Sequence, residues 1–358
     1  MDKHCEAILG EYRKALPDYG IMQDIVLEQL EGAISESGLA VNAVAARIKA
    51  EESLAGKLDL KGQKYRALAD VTDILGARVV TYFADDVDEV ARLIESVFEV
   101  DWENSIDKRA VLDPDRFGYL SLHYVCRIPK AVYHNAAHPN VNVYRFEIQL
   151  RSVLQHVWAE IQHDLGYKSS YPLPKELTRE FNRLAGLLEI ADEEFENIRG
   201  GIEEYCGQVR RSLKDRAALD DISLNEASYD QWLTSSPFEP LVQRIASVNG
   251  ADVERSNPLV YLDAFRWLGK GTLGDMARLL DDDSDLAFEI AHRQMQGKDI
   301  DIFFSGVALL NLCVADVFHQ GGDAARVEEL LEMIQGKGPR NARKAERLIE
   351  LCGEIERA

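Results

Sequence analysis

A group of basic residues surrounds Ser53 and precedes an acidic residue at the start of a predicted strand. The basic residues are Arg47, Lys49, Lys57, Lys61 and Lys64. Lysine and arginine at such positions can clamp phosphate groups. Asp73 comes just before the strand that carries Arg78, and Mg²⁺ usually takes one or two carboxylates together with substrate phosphates. A solvated helix face would also explain the lysines, so the segment alone leaves both interpretations open.

Two further segments alternate between apolar and polar residues, which is typical of β-strands. In the segment Tyr144–Arg151 the polar side carries Arg145, Glu147, Gln149 and Arg151. In the segment Tyr119–Cys126 the corresponding side carries Tyr119, Ser121 and His123. Each face could contact a ligand, but a strand face exposed to water has the same pattern.

A helix predicted from Ser152 to Tyr167 has two distinct sides. Its apolar side carries Leu154, Trp158, Ile161 and Leu165, and the opposite stripe carries His156, Glu160, His163 and Tyr167. Histidines and a glutamate in one stripe suggest ligand contacts or a metal. The metal interpretation is weak because zinc-binding histidines on a helix prefer a spacing of four residues.

The surrounding periodicity predicts the elements that position these residues. We expect helices over residues 1–60, 87–98, 152–167 and 175 to about 216, with strands over 76–83, 119–128 and 143–150. The pattern weakens near 216, and residues 230–358 show helical periodicity alone. We therefore predict one domain over 1–215, a linker over 216–229 and a helical C-terminal domain over 230–358.

The composition of the 358 residues excludes several classes of protein. A formal net charge of −21 argues against a broad nucleic-acid surface and against binding to anionic membranes. No apolar run reaches the length of a membrane span. The five cysteines are scattered without a C-x-x-C pair, which argues against a zinc ribbon or a disulfide framework and predicts a cytoplasmic protein.

Read together, the segments resemble the RelA/SpoT-type nucleotide pyrophosphokinase domain. The residues 73–78, D-I-L-G-A-R, are similar to its D-I-x-G-x-R motif, and residues 118–123, G-Y-L-S-L-H, to its G-Y-x-S-L-H motif. Residues 147–152, E-I-Q-L-R-S, resemble its E-I-Q-x-R-[ST] motif. Arg47, Lys49, Ser53 and Lys57 match its R-x-K…S…K pattern. The resemblance covers roughly residues 20–215, without the hydrolase and regulatory domains of the long family members.

The resemblance implies a fold and an activity for the first domain. The fold is α/β (α+β), with a mixed, mostly antiparallel, nucleotidyltransferase-like sheet and flanking helices, and the C-terminal domain is expected to be all-α. The implied activity is that of a small alarmone synthetase, which transfers the β,γ-pyrophosphate of ATP to the 3′-hydroxyl of GDP or GTP and so makes (p)ppGpp. Mg²⁺ is the implied cofactor.

The resemblance also implies a role for each motif residue. Asp73 and Glu147 would be the catalytic residues and the Mg²⁺ ligands. Arg47, Lys49, Ser53, Lys57 and Arg78 would bind ATP. The acceptor nucleotide would be bound by Tyr119, Ser121, His123, Gln149, Arg151 and His156.

One departure leaves the acceptor open. Leu120 stands where many alarmone synthetases have arginine, so a phosphate contact could be lost. The alternative is a toxin-type member that pyrophosphorylates the 3′ end of tRNA or an adenosine nucleotide, with the C-terminal domain as neutraliser or sensor. Small family members often form homo-oligomers, so the resemblance implies a homo-oligomer unless the added domain blocks or replaces that contact. A protein partner at the C-terminal domain is the other expectation.

Overall fold

The chain forms two compact units, Met1–Arg199 and Gly200–Ala358. The computed structural model describes residues 3–61, 64–107, 121–167, 174–234, 238–255 and 259–358. Across those ranges, no helix combines the length and the apolar character needed to cross a bilayer.

The first unit combines helices with a six-stranded sheet. Its elements are α1 (Lys3–Ser37), β1 (Val41–Ile48), α2 (Glu51–Lys61), β2 (Leu75–Thr81), α3 (Asp86–Val97), β3 (Glu99–Val100), β4 (Ile106–Asp107), β5 (Leu122–Arg127), β6 (Phe146–Ser152) and α4 (Val153–Tyr167). A long helix, α5 (Lys175–Ser212), begins in this unit and ends in the second.

The strand order is β1-β2-β6-β5-β3, and β4 also pairs with β5. Strands β2 and β6 run parallel, whereas the other described pairs of this sheet are antiparallel. The mixed, mostly antiparallel sheet expected from the sequence is therefore confirmed.

One face of the sheet is the core of the first unit. Val79, Ile148 and Leu150 are completely buried on this face, and α1 and α3 supply its cover through residues such as Met22 and Val90. Burying a side chain of this size stabilises the fold by roughly 1.5–3 kcal/mol. The alternation predicted for β6 is confirmed, since the intervening Glu147 and Gln149 lie on the opposite, less buried face.

The prediction of helix over residues 41–49 is wrong. Gly38 adopts a positive φ of 74° just after α1 and ends it, and the chain then pairs with β2 as the edge strand β1. Val41, Val44 and Ile48 are spaced as on a helix, but they are β-branched and suit an extended strand equally well. Pairing with a strand more than twenty residues later decides between the two, and a local pattern does not contain that information.

The second unit is mainly helical. Its elements are α6 (Glu226–Thr234), α7 (Glu239–Ala246), β7 (Asp252–Glu254), α8 (Leu259–Trp267), α9 (Leu273–Met295), β8 (Ile302–Phe304), α10 (Gly306–His319), α11 (Ala324–Gln335) and α12 (Asn341–Ile355). Strands β7 and β8 form a short parallel pair that the helical periodicity did not predict.

The segment 216–229, expected to be a linker, is part of the second unit. It contains a 3-10 helix, Arg216–Asp221, and it buries Leu219 and Leu224 in that unit's core. Upstream, Val209 on α5 belongs to the same core. The two units divide within α5, because the C-terminal turns of this helix pack with the residues that follow it.

Helices α4 and α5 expose a set of large apolar side chains. Trp158 is buried as predicted for the apolar side of α4, but Ile161 and Leu165 on the same side are about half exposed. On α5 the exposed apolar residues are Leu177, Leu184, Leu187, Ile190, Phe195, Ile198 and Ile202.

Candidate functional site

A cavity of about 380 Å³ lies on the polar face of the sheet. Its walls come from β1, β2 and β6 and from the segments that follow β1 and precede β2. The lining includes seven of the residues predicted from sequence, namely Arg47, Lys49, Ser53, Asp73, Arg78, Glu147 and Gln149.

Strand register brings these residues together. In one row across the sheet, Gly76 of β2 lies between Arg47 of β1 and Glu147 of β6. In the next row, Gln149 of β6 lies between Arg78 of β2 and His123 of β5. Paired residues on adjacent strands point to the same face, so four strands present these residues on one face of the sheet.

Asp73 is held by two lysines at the end of the cavity. Lys57 Nζ donates to Asp73 Oδ1 at 2.6 Å, and Lys49 Nζ lies 3.0 Å from Asp73 Oδ2. Burial raises the pKa of the Asp73 carboxyl, but the hydrogen bonds and charges of Lys57 and Lys49 outweigh it and lower the pKa below its ordinary value. Asp73 is therefore ionised at neutral pH.

Glu147 is held by neighbours on two strands. Gln149 Nε2 donates to Glu147 Oε1 at 2.7 Å, and His123 Nδ1 lies 3.1 Å from the same oxygen. Burial and the negative charge of Asp73 raise the pKa of Glu147, but the contacts with His123 and Gln149 lower it below the ordinary value. The cavity thus contains two ionised carboxylates.

The buried Arg151 orients Gln149 by donating a hydrogen bond from Nη2 to Gln149 Oε1. Because Gln149 in turn donates to Glu147, the three polar residues of β6 form a continuous chain of hydrogen bonds. The carboxylate of Glu147 is therefore positioned from within its own strand as well as from β5.

A second contact joins the sheet to α4. Arg78 Nη1 donates to Glu160 Oε1 at 3.0 Å, and His156 Nδ1 lies 3.8 Å from the same oxygen. Burial and the positive charges of Arg78 and Arg151 lower the pKa of His156, so its imidazole is neutral at neutral pH. The stripe predicted on this helix thus contacts the polar face of the sheet through His156 and Glu160.

A known protein family matches part of the first unit. The model of the region found in RelA/SpoT proteins matches residues 46–171. Residues 46–171 are therefore similar to the region found in RelA/SpoT proteins, and they are called the RelA/SpoT domain below. This range contains the last three residues of β1, all of β2, β5 and β6, and every residue that lines the cavity except Ala45.

Two curated proteins are similar to this chain. The chain is 28% identical over 214 residues to GTP pyrophosphokinase YjbM of Bacillus subtilis (strain 168), which covers 60% of this chain and 97% of that protein. It is 27% identical over 160 residues to GTP pyrophosphokinase YwaC of the same organism, covering 44% of this chain and 73% of that protein. The crystal structure of the small alarmone synthetase 1 from Bacillus subtilis superposes with a TM-score of 0.47 at 24% identity, covering 55% of this chain and 99% of that one.

Most of the predicted site residues are close together in the RelA/SpoT domain. The structure also brings Lys57 to the site through Asp73, and it brings His123 to Glu147. Ser121 is buried beside β5, whereas Tyr119 lies outside the described residues. Arg145 does not line the cavity and instead bonds Asp101 at 2.9 Å.

Two residues of the site had no predicted role. Gly76 forms part of the cavity wall, and a Cβ added there would meet no atom within 4 Å. A glycine inside a strand is a sequence signal for such close approach. Glu160 binds Arg78, and its only sequence signal was its place in the polar stripe of α4.

The carboxylates suit Mg²⁺, which prefers hard oxygen ligands. Asp73 and Glu147 supply two ionised carboxylates in one cavity, beside cations that could hold phosphates. Across the described ranges, no three His, Cys, Asp or Glu side chains converge to enclose a metal ion. The donor set therefore fits a metal that completes its coordination with ligand oxygens.

Proposed function

We propose that the RelA/SpoT domain transfers the β,γ-pyrophosphate of ATP to the 3′-hydroxyl of GDP or GTP, with Mg²⁺ as cofactor. The observation that carries this proposal is the pair of ionised carboxylates, Asp73 and Glu147, in one cavity with Arg47, Lys49 and Arg78. The names of the two relatives, both GTP pyrophosphokinases, support a guanosine nucleotide as acceptor.

The cations of the cavity would bind the donor. Transfer of a phosphoryl group requires mainly positioning and neutralisation of charge. Four cations can surround the triphosphate, with Ser53 as a further hydrogen-bonding group. They are Arg47 of β1, Lys49 just after it, Lys57 of α2 and Arg78 of β2. Mg²⁺, held by Asp73 and Glu147, would neutralise charge on the phosphate oxygens.

Glu147 would also act on the acceptor by taking the proton from the 3′-hydroxyl. The 3′-oxygen then bonds to the β-phosphorus, the bond between that phosphorus and the α,β-bridging oxygen breaks, and AMP leaves with the electron pair. Gln149, Arg151 and His156, together with Tyr119, Ser121 and His123, would orient the acceptor. The hydrogen bonds from Gln149 and His123 would hold Glu147 in place for this step.

A product assay tests the proposal. Purified full-length protein is mixed with Mg²⁺ and γ-labelled ATP, then offered GDP, GTP, ATP or bulk tRNA separately, and the label is followed by chromatography. We expect label on the guanosine nucleotides. Label on tRNA or on an adenosine nucleotide would overturn the choice of acceptor and favour the toxin-type alternative. No transfer to any of the four would overturn the activity itself.

Two isosteric substitutions test the carboxylates. We expect Asp73→Asn and Glu147→Gln each to lower the transfer rate by about 10²–10⁴-fold while the circular dichroism spectrum stays unchanged. Glu99→Gln is the matched control, because Glu99 is an exposed carboxylate on β3 of the same sheet, and its activity should stay at the wild-type level. Full activity in either Asp73→Asn or Glu147→Gln would refute the assignment.

A further inference from the structure

Both carboxylate oxygens of Asp73 are taken by lysine side chains. Lys57 bonds Oδ1 at 2.6 Å and Lys49 lies 3.0 Å from Oδ2. The three side chains are each about one-quarter exposed, so the cluster is partly shielded from water. Lys57 also lies over the ring of Tyr65, 5.4 Å from its centre. The carboxylate that a divalent cation would need is therefore neutralised by the protein itself.

The second carboxylate, that of Glu147, is also engaged, although by an amide and an imidazole instead of lysines. Its Oε1 accepts from Gln149 and contacts His123. Across the described residues, no three His, Cys, Asp or Glu side chains form a group that could hold a metal ion, so the protein alone offers a cation two carboxylates that already have polar partners. Mg²⁺ requires six oxygen ligands in near-octahedral geometry and loses its water reluctantly. Such a site binds Mg²⁺ weakly until a ligand supplies further oxygens and gives the lysines another anion to bind.

We propose that Lys49 and Lys57 occupy the place of the metal at Asp73 until a triphosphate arrives, so that the site admits a divalent cation only together with its nucleotide. The inference rests on the proposed function, in which this cavity binds the triphosphate of ATP. Lysine suits this role because its ammonium group is a point charge on a flexible four-carbon stem. As the two ammonium groups move to phosphate oxygens, both oxygens of Asp73 become available. By reciprocity, the cation then tightens nucleotide binding by the same factor as the nucleotide tightens cation binding.

The first experiment measures cation binding without nucleotide. Mn²⁺ replaces Mg²⁺, and the free ion is measured by its electron paramagnetic resonance signal during titration of the full chain. We expect wild-type protein to bind Mn²⁺ no more tightly than Asp73→Asn does. The single variant Lys57→Met and the double variant Lys49→Met/Lys57→Met retain an apolar side chain and remove the ammonium charge. We expect the affinity for Mn²⁺ to rise by about tenfold for each lysine removed. Adding Asp73→Asn to the double variant should abolish the gain.

Lys14→Met on α1 is the matched control, because Lys14 is an exposed helical lysine and its removal should leave Mn²⁺ binding unchanged. Tight Mn²⁺ binding by the nucleotide-free wild type that Asp73→Asn removes would overturn the proposal. So would unchanged Mn²⁺ affinity in both lysine variants, provided that their circular dichroism matches the wild type.

A second experiment measures the coupling directly. The affinity for the α,β-methylene analogue of ATP is determined by calorimetry with EDTA and then with Mg²⁺. We expect the cation to tighten binding by about tenfold in the wild type and to have little effect in Asp73→Asn. Equal tightening in both proteins would contradict a role for Asp73. Neither experiment requires turnover, so a negative product assay would leave the cation result interpretable on its own.

Discussion

Gly76 leaves space at the centre of the site. It lies between Arg47 and Glu147 in one row of the sheet, lines the cavity, and has nothing within 4 Å of the position where a side chain would begin. A larger residue here would extend into the volume that the nucleotide is proposed to occupy, without displacing any part of the core.

We therefore expect Gly76→Val to weaken binding of the ATP analogue by at least about tenfold, while the protein stays folded, because valine suits a strand better than glycine does. Calorimetry gives the affinity and thermal melting gives the stability. Gly32→Ala, at an exposed position of α1, should leave binding intact and raise stability by about 0.5–1 kcal/mol. Normal nucleotide binding by Gly76→Val would show that the cavity is not the nucleotide site.

The sequence predicted which residues share a face better than it predicted their contacts. Alternation along β6 was enough to place Glu147 and Gln149 on one face, because that pattern is local. The ion pairs of Asp73 with Lys49 and Lys57 depend on how α2 packs beside the start of β2, and spacing along the chain does not determine that packing. Glu160 is a similar case, since its partner Arg78 is 82 residues away.

The buried carboxylate of Asp192 attaches α5 to the end of the sheet. Ser152 Oγ, at the end of β6, donates to Asp192 Oδ2 at 2.7 Å. Burial and, to a smaller extent, the nearby charge of Glu196 together raise the pKa of Asp192 to about 6, despite the hydrogen bond from Ser152. Farther along α5, Arg199 binds Asp85 and Asp86.

We expect Asp192→Asn to raise the melting temperature at pH 8. Because the folded pKa lies above the ordinary value of 3.8, this carboxyl favours folding most below pH 3.8 and loses that contribution as pH rises through about 6. The asparagine amide of the variant can still accept the hydrogen bond from Ser152, and it has no charge to bury. The gain in melting temperature over the wild type should therefore shrink toward zero at acidic pH. Glu193 is an exposed neighbour on α5, and Glu193→Gln should leave the melting temperature unchanged both at pH 8 and at acidic pH. A melting temperature below that of the wild type at pH 8 would contradict this account.

Three helices of the second unit meet at one histidine. His319, at the end of α10, binds Asp283 of α9 through Nδ1, and its Nε2 lies 3.5 Å from Glu356, which follows α12. Burial lowers the pKa of His319, but the two carboxylates outweigh burial and raise the pKa above the ordinary value of 6.5. The stabilising charge is thus fully present below pH 6.5 and is lost as pH rises through the folded pKa.

His319→Gln should therefore lower the melting temperature more at pH 6 than at pH 8.5. His292→Gln is the control, because His292 is a half-exposed histidine on α9 that stacks on Phe288 and has a longer ion pair, 3.6 Å, to Glu289. The difference between the two pH values should be small for this variant. An equal loss at both pH values for His319→Gln would mean that packing, rather than charge, is the contribution of this side chain.

The elements themselves were predictable to different degrees. Strands β2 and β6 and helices α3 and α4 lie close to their predicted positions, because each has a period that matches its structure. Strand β1 was missed because its apolar spacing suits a helix and its partner strand is distant. Strands β7 and β8 are three residues each, which is too short for any periodicity to show.

At the scale of the whole molecule, apolar residues remain exposed on a protein with a net charge of −21. The exposed set on α5 includes Leu184, Leu187, Phe195 and Ile198, which recur at spacings of three, eight and three residues along one side of the helix. Apolar groups arranged in this way commonly mark contact surfaces. The homo-oligomer expected from the sequence stays a prediction, and this side of α5 is where we expect the contact.

Sedimentation velocity tests this expectation. We expect the wild type to sediment as a species larger than the 40.3 kDa chain. Leu187→Glu should sediment closer to the mass of the single chain, because burying a charge in an apolar contact is costly. Leu60→Glu, at an 81% exposed position on α2, should have no such effect. A wild-type protein that sediments at 40.3 kDa across micromolar concentrations would exclude the homo-oligomer.

The strand order has a consequence for how the chain folds. Strand β6 is the last of the sheet to be synthesised, yet it lies between β2 and β5, which precede it. Until it arrives, β2 and β5 each have one edge with unpaired backbone groups, and such edges promote aggregation. Long-range pairing of this kind also slows folding. The same insertion brings Glu147 to Asp73, so a nascent chain acquires its candidate active site in the step that closes its most aggregation-prone edges.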